Sequence, residues 1–191
     1  MTFRRLLALA TIPVVAAIAA CQDAYAPKAV YQVSVDTLRL SALTGTPLQS
    51  QSAVYLLGHA AITPGASESF DFALDIDASG KVKIIPRAKV LTCTSICQLG
   101  TLVSTTTFDS LYDAPSRGYT YDSTTTVTPG QTVVFVTKDQ SCIPSNIATV
   151  DVYAKMVVDS VRTADRTIFI RLVSDPNCGF RGLVPGVVPR H

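Results

Sequence analysis

The sequence contains no tryptophan, only two histidines and few charged residues. Charged side chains make up 16% of the 191 residues, whereas hydrophobic ones make up 48%. Low charge combined with many Ser, Thr and Val residues is typical of a secreted β protein rather than of a cytosolic helical one. The motifs G-x-S-x-G, G-x-x-x-x-G-K-S/T and G-x-G-x-x-G are also missing. Their absence removes the signatures of α/β hydrolases, P-loop NTPases and dinucleotide-binding domains.

The chain has no charge excess once its first residues are set aside. Residues 1–20 hold two of the 16 basic residues, Arg4 and Arg5, and none of the 14 acidic ones, so the remainder carries 14 of each sign. Nucleic-acid binding needs clustered Lys and Arg to neutralise phosphates. We therefore expect no nucleic-acid partner.

The N-terminus combines a basic start with an apolar run. Residues 6–20 (LLALATIPVVAAIAA) are apolar and follow the two arginines. As a helix the run would span roughly 22 Å, less than the roughly 30 Å of a bilayer core. This anatomy predicts an export signal peptide rather than a permanent membrane span.

The run ends in Ile18-Ala19-Ala20-Cys21, which resembles the lipobox of bacterial lipoproteins. The resemblance implies cleavage before Cys21 and acylation of its thiol, so that the bilayer becomes a partner. With Gln22 after the cysteine, it also implies a place in the cell envelope, at the outer membrane if the host is diderm. Acyl chains on one residue anchor a protein stably when two or more are present.

These features divide the chain into three parts. We expect a lipoprotein signal peptide at 1–20, a lipidated N-terminus with a short tether at 21–29, and one domain at 30–191. An ordinary secretory signal remains an alternative, since cleavage after Ala26 would also fit a small-x-small site and would discard Cys21.

The rest of the chain reads as short strands separated by turn residues. There is no stretch of 12 residues with helical period and caps, and no internal repeat. The pattern predicts a single all-β domain, a β-sandwich of about nine strands, with an immunoglobulin-like topology as the default expectation. The candidate strands are 30–42, 53–62, 70–77, 81–85, 99–108, 119–127, 132–138, 148–161 and 167–174.

Residues 70–85 give the clearest hairpin. Strict alternation places one apolar set inward and the aspartates Asp71, Asp75 and Asp77 outward, where they would face lysines of the return strand. Gly80 ends the three-residue turn, because glycine tolerates the left-handed conformation. The same reasoning places Lys155 on a polar outward face of 148–161.

Four cysteines remain after Cys21. An even number in an exported chain predicts two disulfides. We favour the pairs Cys93–Cys97 and Cys142–Cys178, because a hairpin formed by 148–161 and 167–174 would bring the latter two together; the two crossed pairings remain open. The C-x3-C spacing and the 35 residues between the other two are not typical of a zinc site.

The segment Asp75-Ile-Asp77-Ala-Ser79-Gly80 matches the start of a calcium loop. A calcium loop places a bidentate Glu at its twelfth position, where this chain has Pro86. The hairpin interpretation is therefore preferred, and we expect no metal and no cofactor.

A binding surface is best sought around residues 112–121. Tyr112, Arg117, Tyr119 and Tyr121 cluster there, and Tyr and Arg are enriched in interfaces. The simpler interpretation is a loop followed by a Thr-rich strand.

The sequence thus favours a membrane-anchored envelope lipoprotein with a non-catalytic β-sandwich that contacts an envelope protein or a glycan. One alternative is a small envelope hydrolase that uses His59 or the Asp71/Asp75/Asp77 face. The other is a structural spacer of the envelope without a partner.

Overall fold

The computed structural model describes residues 28–67, 69–93, 97–142 and 151–190. The expected signal peptide at 1–20, Cys21 and the tether up to residue 27 lie outside this part, as do the first residues of the strand predicted from 148. The described residues contain no helix of seven or more residues. None of their helices is long and apolar enough to cross a membrane.

The strands form two antiparallel sheets that pack together, which confirms the predicted β-sandwich. The six-stranded sheet, called sheet A here, has the spatial order β1 (Ser34–Ser41), β11 (Thr167–Ser174), β10 (Asp151–Arg162), β9 (Thr132–Lys138), β6 (Leu99–Ser104) and β7 (Thr120–Tyr121). The five-stranded sheet B has the order β3 (Ala60–Ile62), β2 (Ala53–Tyr55), β4 (Phe72–Ile76), β5 (Val82–Pro86) and β8 (Thr125–Val127). Short 3₁₀ turns occur at Arg87–Lys89, Phe108–Ser110 and Gln140–Cys142.

The main core lies between the two sheets. Phe72 of β4 and Phe135 of β9 stack across the interface with ring centroids 4.7 Å apart. Around this pair the alternate residues of each strand supply a continuous aliphatic layer. It includes Leu40, Val54, Leu56, Leu74, Ile84, Leu99, Val133, Met156, Val158, Ile168, Ile170 and Leu172.

A second apolar layer covers the outer face of sheet A. Segments 105–119 and 177–189 lie over the middle strands and bury their outward side chains. Strands β9, β10 and β11 are therefore apolar on both faces. The layer is made of Val33, Phe108, Leu111, Ala114, Val134, Val157, Val173 and Leu183.

This layer overturns the prediction that Lys155 belongs to a solvated face. The side chain does point outward from β10, but only 2% of the residue is exposed. Its Nζ donates hydrogen bonds to the carbonyls of Phe108 (2.7 Å) and Leu111 (2.8 Å) and lies 4.8 Å from the centroid of the Phe108 ring. The ammonium group thus holds the covering segment by satisfying carbonyls that would otherwise be buried without a donor.

The predicted hairpin is confirmed as β4–β5, with Asp75 opposite Lys83 and Gly80 at φ +80°. The expected solvent exposure of its aspartates is wrong for Asp75, which is 7% exposed, and for Asp71, which is partly buried and accepts a hydrogen bond from Leu56 N. Asp75 Oδ1 accepts a hydrogen bond from Arg166 Nη2 at 2.9 Å, and Thr44 donates to the same carboxylate. Alternation in the sequence could not predict the burial of Asp75, because loops rather than solvent cover the face of β4 that carries the aspartates.

Two predicted strands each divide into two. The segment 53–62 forms β2 and β3, with a turn at 56–59 in which His59 has φ +50°. The segment 119–127 forms β7 in sheet A and β8 in sheet B. The first break lies within an apolar run, where a turn leaves the hydrophobic pattern nearly unchanged. The second lies in a polar stretch and begins at Asp122, which has φ +50°.

The structure contains two disulfides, and their pairing agrees with the preferred prediction. Cys93 and Cys97 have Cα atoms 6.4 Å apart, and Cys142 and Cys178 have Cα atoms 5.5 Å apart. The second bridge joins the end of β9 to the segment that follows β11. It closes a loop with a sequence separation of 36 residues, against 4 for the first.

We predict that the two bridges differ in their contribution to stability. By loop-closure entropy, Cys142→Ala with Cys178→Ala should lower the free energy of unfolding by about 4 kcal/mol, and Cys93→Ala with Cys97→Ala by about 2 kcal/mol. Denaturant unfolding of both double variants measures this difference. Equal losses in the two variants would contradict the entropic explanation.

Candidate functional site

The turn between β2 and β3 brings together the residue types of a catalytic triad. His59 Nδ1 lies 2.5 Å from Asp36 Oδ2, and its Nε2 lies 2.6 Å from Ser174 Oγ. Asp36 and Ser174 come from β1 and β11 of sheet A, whereas His59 comes from sheet B. Sequence analysis named His59 but neither of its partners, because Asp36 and Ser174 are far from it in the chain and match no motif.

The surroundings of Ser174 oppose a nucleophilic role. The residue is fully buried, and its hydroxyl donates a 2.6 Å hydrogen bond to the Leu56 carbonyl. With that proton engaged, His59 Nε2 must donate to Ser174 rather than accept its proton, which a general base would have to do. The group therefore acts as a clasp that fastens the β2–β3 turn to sheet A.

The three aspartates proposed for an alternative hydrolase do not form a shared site. Asp71 accepts a 2.7 Å hydrogen bond from Leu56 N, Asp75 pairs with Arg166, and Asp77 accepts bonds from the backbone and hydroxyl of Ser79 in the hairpin turn. Burial raises the pKa of Asp71 to about 6, and the Ser79 hydroxyl lowers that of Asp77. Among the described residues, no three His, Cys, Asp or Glu side chains are grouped so as to hold a metal ion.

The outer face of sheet A carries a tyrosine cluster near β7. Tyr119, Tyr121 and Tyr153 lie close enough to influence one another electrostatically, and burial is the main cause of the raised pKa values of Tyr119 and Tyr153. Tyr119 packs on the second apolar layer and donates a 2.8 Å hydrogen bond to the Pro115 carbonyl. Tyr119 is therefore a structural support, whereas the neighbouring Tyr121 is 48% exposed.

Tyr121 borders a small polar pocket of about 130 Å³ at the end of sheet A. Its ring lies over Gly100, where an added Cβ would come within 2.8 Å of the Tyr121 ring. A glycine at this position of β6 is what allows the ring to lie close to the sheet. The other lining residues are Gln98, Val136, Thr137, Lys138 and Asp151.

The four predicted binding residues do not line one cavity. Tyr119 and Tyr121 are neighbours, but Tyr112 lines a different groove, together with Val33 and the C-terminal segment. Arg117 is exposed and lines neither of these two cavities. The segment 112–121 crosses the outer face of sheet A, so its residues are distributed along that face.

A further polar group fixes the point where the N-terminal segment enters the domain. Asn177 Oδ1 accepts hydrogen bonds from the backbone of Val30 (2.7 Å) and Tyr31 (2.9 Å). Its Nδ2 donates to the Tyr31 carbonyl (2.8 Å) and to Asp175 Oδ1 (2.7 Å), so that the carboxamide is fully used. We call this group the Asn177 clamp.

Asp175 supports the clamp at an electrostatic cost. It is fully buried, and its Oδ2 has no hydrogen-bond partner among the described residues. Burial raises its pKa to about 6, although the hydrogen bonds from Asn177 act in the opposite direction. The fold thus favours the protonated carboxyl, which needs no counter-charge.

We predict that Asp71 and Asp175 each contribute more to stability at acidic than at neutral pH. Since both pKa values are raised above that of an unfolded chain, their stabilising contribution is complete below about pH 4 and is lost as the pH rises through about 6. Asp175→Asn and Asp71→Asn should each reduce the fall in unfolding free energy between about pH 4 and about pH 7. Denaturant unfolding over this pH range is the measurement.

Asp77→Asn is the matched control for this experiment. The pKa of Asp77 is lowered, so its contribution is lost only as the pH falls below about 4. Its replacement should leave the slope above that pH unchanged. A slope that is unaltered in both buried-aspartate variants would show that neither carboxyl titrates as described.

Comparison with known proteins adds no relative, since no family model, no curated protein and no solved structure matches the chain.

Proposed function

We propose that the protein is a lipid-anchored component of the cell envelope whose β-sandwich is a non-catalytic binding module for an envelope glycan. The observation that carries the binding role is the exposed Tyr121 ring beside a polar pocket. An aromatic face can stack on the apolar face of a sugar ring, while the amide of Gln98 and the charges of Lys138 and Asp151 supply partners for its hydroxyls.

The proposed anchor is Cys21. The support for it is the signal-peptide anatomy and the lipobox resemblance at 18–21. The Asn177 clamp is consistent with such an anchor, because a chain attached to a membrane transmits any pull to the point where it enters the domain. Three hydrogen bonds join the Asn177 side chain to the backbone of the entering chain at that point.

The hydrolase alternative has weaker support. It would need an accessible nucleophile or a shared pair of carboxylates, and the buried Ser174 and the separately engaged aspartates supply neither. A structural spacer differs from the proposal only in having no partner. Retention of the domain by a glycan would distinguish the binding module from the spacer.

The anchor predicts a specific mass for the mature protein. In the membrane fraction of its host, the chain should begin at Cys21 and carry diacylglycerol, with or without a further acyl chain. Cys21→Ser should abolish the lipid and release the protein from the membrane fraction, because it removes the thiol that would carry the acyl chains. Intact-mass spectrometry and fractionation measure both effects. An unlipidated chain beginning after Ala26 would contradict the anchor.

The binding role predicts that Tyr121 is required for glycan retention. Purified envelope polysaccharide and peptidoglycan, immobilised separately, should retain the domain, and Tyr121→Ala should weaken retention by about tenfold, as expected for the loss of one central aromatic contact. Tyr112→Ala is the matched control, since Tyr112 is a similarly exposed tyrosine that lies outside the pocket.

The control separates specific from general effects. Equal losses from Tyr121→Ala and Tyr112→Ala would indicate non-specific adsorption of exposed aromatics. No retention by either glycan would contradict the glycan-binding role and favour the spacer.

A further inference from the structure

The residues around the N-terminal entry point form an apolar surface. Val30 and Tyr31, held by the Asn177 clamp, are 71% and 64% exposed. Two residues further on, Val33 forms two backbone hydrogen bonds with the C-terminal segment. The Val33 N–H donates to the Val187 carbonyl (3.0 Å), and the Gly186 N–H donates to the Val33 carbonyl (2.7 Å). The C-terminal segment therefore lies directly beside the entering chain.

A groove of about 240 Å³ opens between these two segments. Tyr112, Val187 and Val188 line it and are all exposed, Tyr112 at 60%. With Val30 and Tyr31 they form what we call the entry face. These five residues are more than half of the nine large hydrophobic side chains that are exposed in the described part of the chain. Such a concentration marks an interaction surface rather than chance exposure.

The chain that precedes the entry face indicates its occupant. Eight residues (22–29) separate Cys21 from Val30, and even fully extended the nine residue-to-residue steps between them reach no more than roughly 32 Å. An acyl anchor on Cys21 would hold the entry face at a high effective concentration over the bilayer. Contacts too weak to bind a free domain to a membrane would then be sufficient.

The chemistry of the entry face also suits a membrane surface. Tyrosine prefers the interface between headgroups and acyl chains, because its ring is apolar and its hydroxyl is polar. The exposed cation Arg190 lines the groove, with Asp113 as its acidic residue, and the exposed Lys28 precedes Val30 by two residues. Cations at this depth are attracted to anionic headgroups.

We propose that the entry face docks on the bilayer that carries the Cys21 acyl chains, so that the domain is oriented rather than freely tethered. This proposal rests on the lipid anchor proposed above. Docking would place Val30, Tyr31, Val187 and Val188 at the headgroup level. The part of the outer layer that lies beside the start of β1 would then face the membrane.

The lack of tryptophan makes this orientation measurable. Tyr31→Trp and, separately, Leu48→Trp each introduce a single tryptophan, which can be excited selectively over the tyrosines; Leu48 is 90% exposed and follows β1 at its opposite end. The chain from Cys21 onward, with its disulfides intact, is coupled through the Cys21 thiol to maleimide lipid. The vesicles contain phosphatidylethanolamine and phosphatidylglycerol with brominated acyl chains.

Docking predicts several-fold stronger bromine quenching, with a blue shift, for the Tyr31→Trp reporter than for the Leu48→Trp reporter. Adding Val187→Ser and Val188→Ser to the Tyr31→Trp chain should reduce that quenching towards the Leu48→Trp level. Equal quenching of the two reporters, or none in either, would overturn the proposal. Because the coupling replaces natural acylation, this outcome is independent of the mass measurement on the native protein.

Discussion

The arrangement of the molecule depends on one constraint, which is that sheet A is apolar on both faces. Val134, Val157 and Val173 point outward from strands whose other face already forms the main core. Leaving them in water would forfeit roughly 1.5–3 kcal/mol for each large aliphatic side chain. The segments 105–119 and 177–189 bury them, and the Lys155 ammonium holds the first of these segments. The covering layer in turn forms the groove of the entry face and supports the tyrosine cluster.

The strands of the sandwich could be predicted from the sequence wherever alternation, or an apolar run between turn residues, was enough to identify them. The β4–β5 hairpin, β9 and β11 follow from alternation or apolar runs between turn residues, and the disulfide pairing follows from the β10–β11 hairpin. The second layer could not be derived, because periodicity indicates which face of a strand is apolar and not what covers the other face. The continuous apolar run of β9 (TVVFVTK) was the available sign of burial on both sides.

The candidate site shows the same division between what the sequence reveals and what it does not. Tyr121 was identifiable by residue type, but its pocket is assembled from β9 and β10 and needs the tertiary fold. The His59 clasp was not identifiable, and its chemistry depends on one detail of geometry. Because the Ser174 hydroxyl donates its hydrogen bond to the Leu56 carbonyl and not to His59, the three residue types of a catalytic triad instead join the two sheets. Residue composition at a site therefore does not determine its role without the direction of each hydrogen bond.

The two proposed surfaces have a fixed spatial relation. One row of paired residues crosses sheet A: Ser34, Ser174, Ala154, Phe135, Thr101 and Thr120. Val33 precedes this row in β1 and Tyr121 follows it in β7, so both lie at the same end of the sheet, five strand spacings or roughly 24 Å apart. A domain that docks through its entry face would thus hold the Tyr121 pocket near the same membrane. A glycan bound there would belong to the layer next to the anchoring bilayer, because the short tether and the docked face leave the pocket little freedom to reach further.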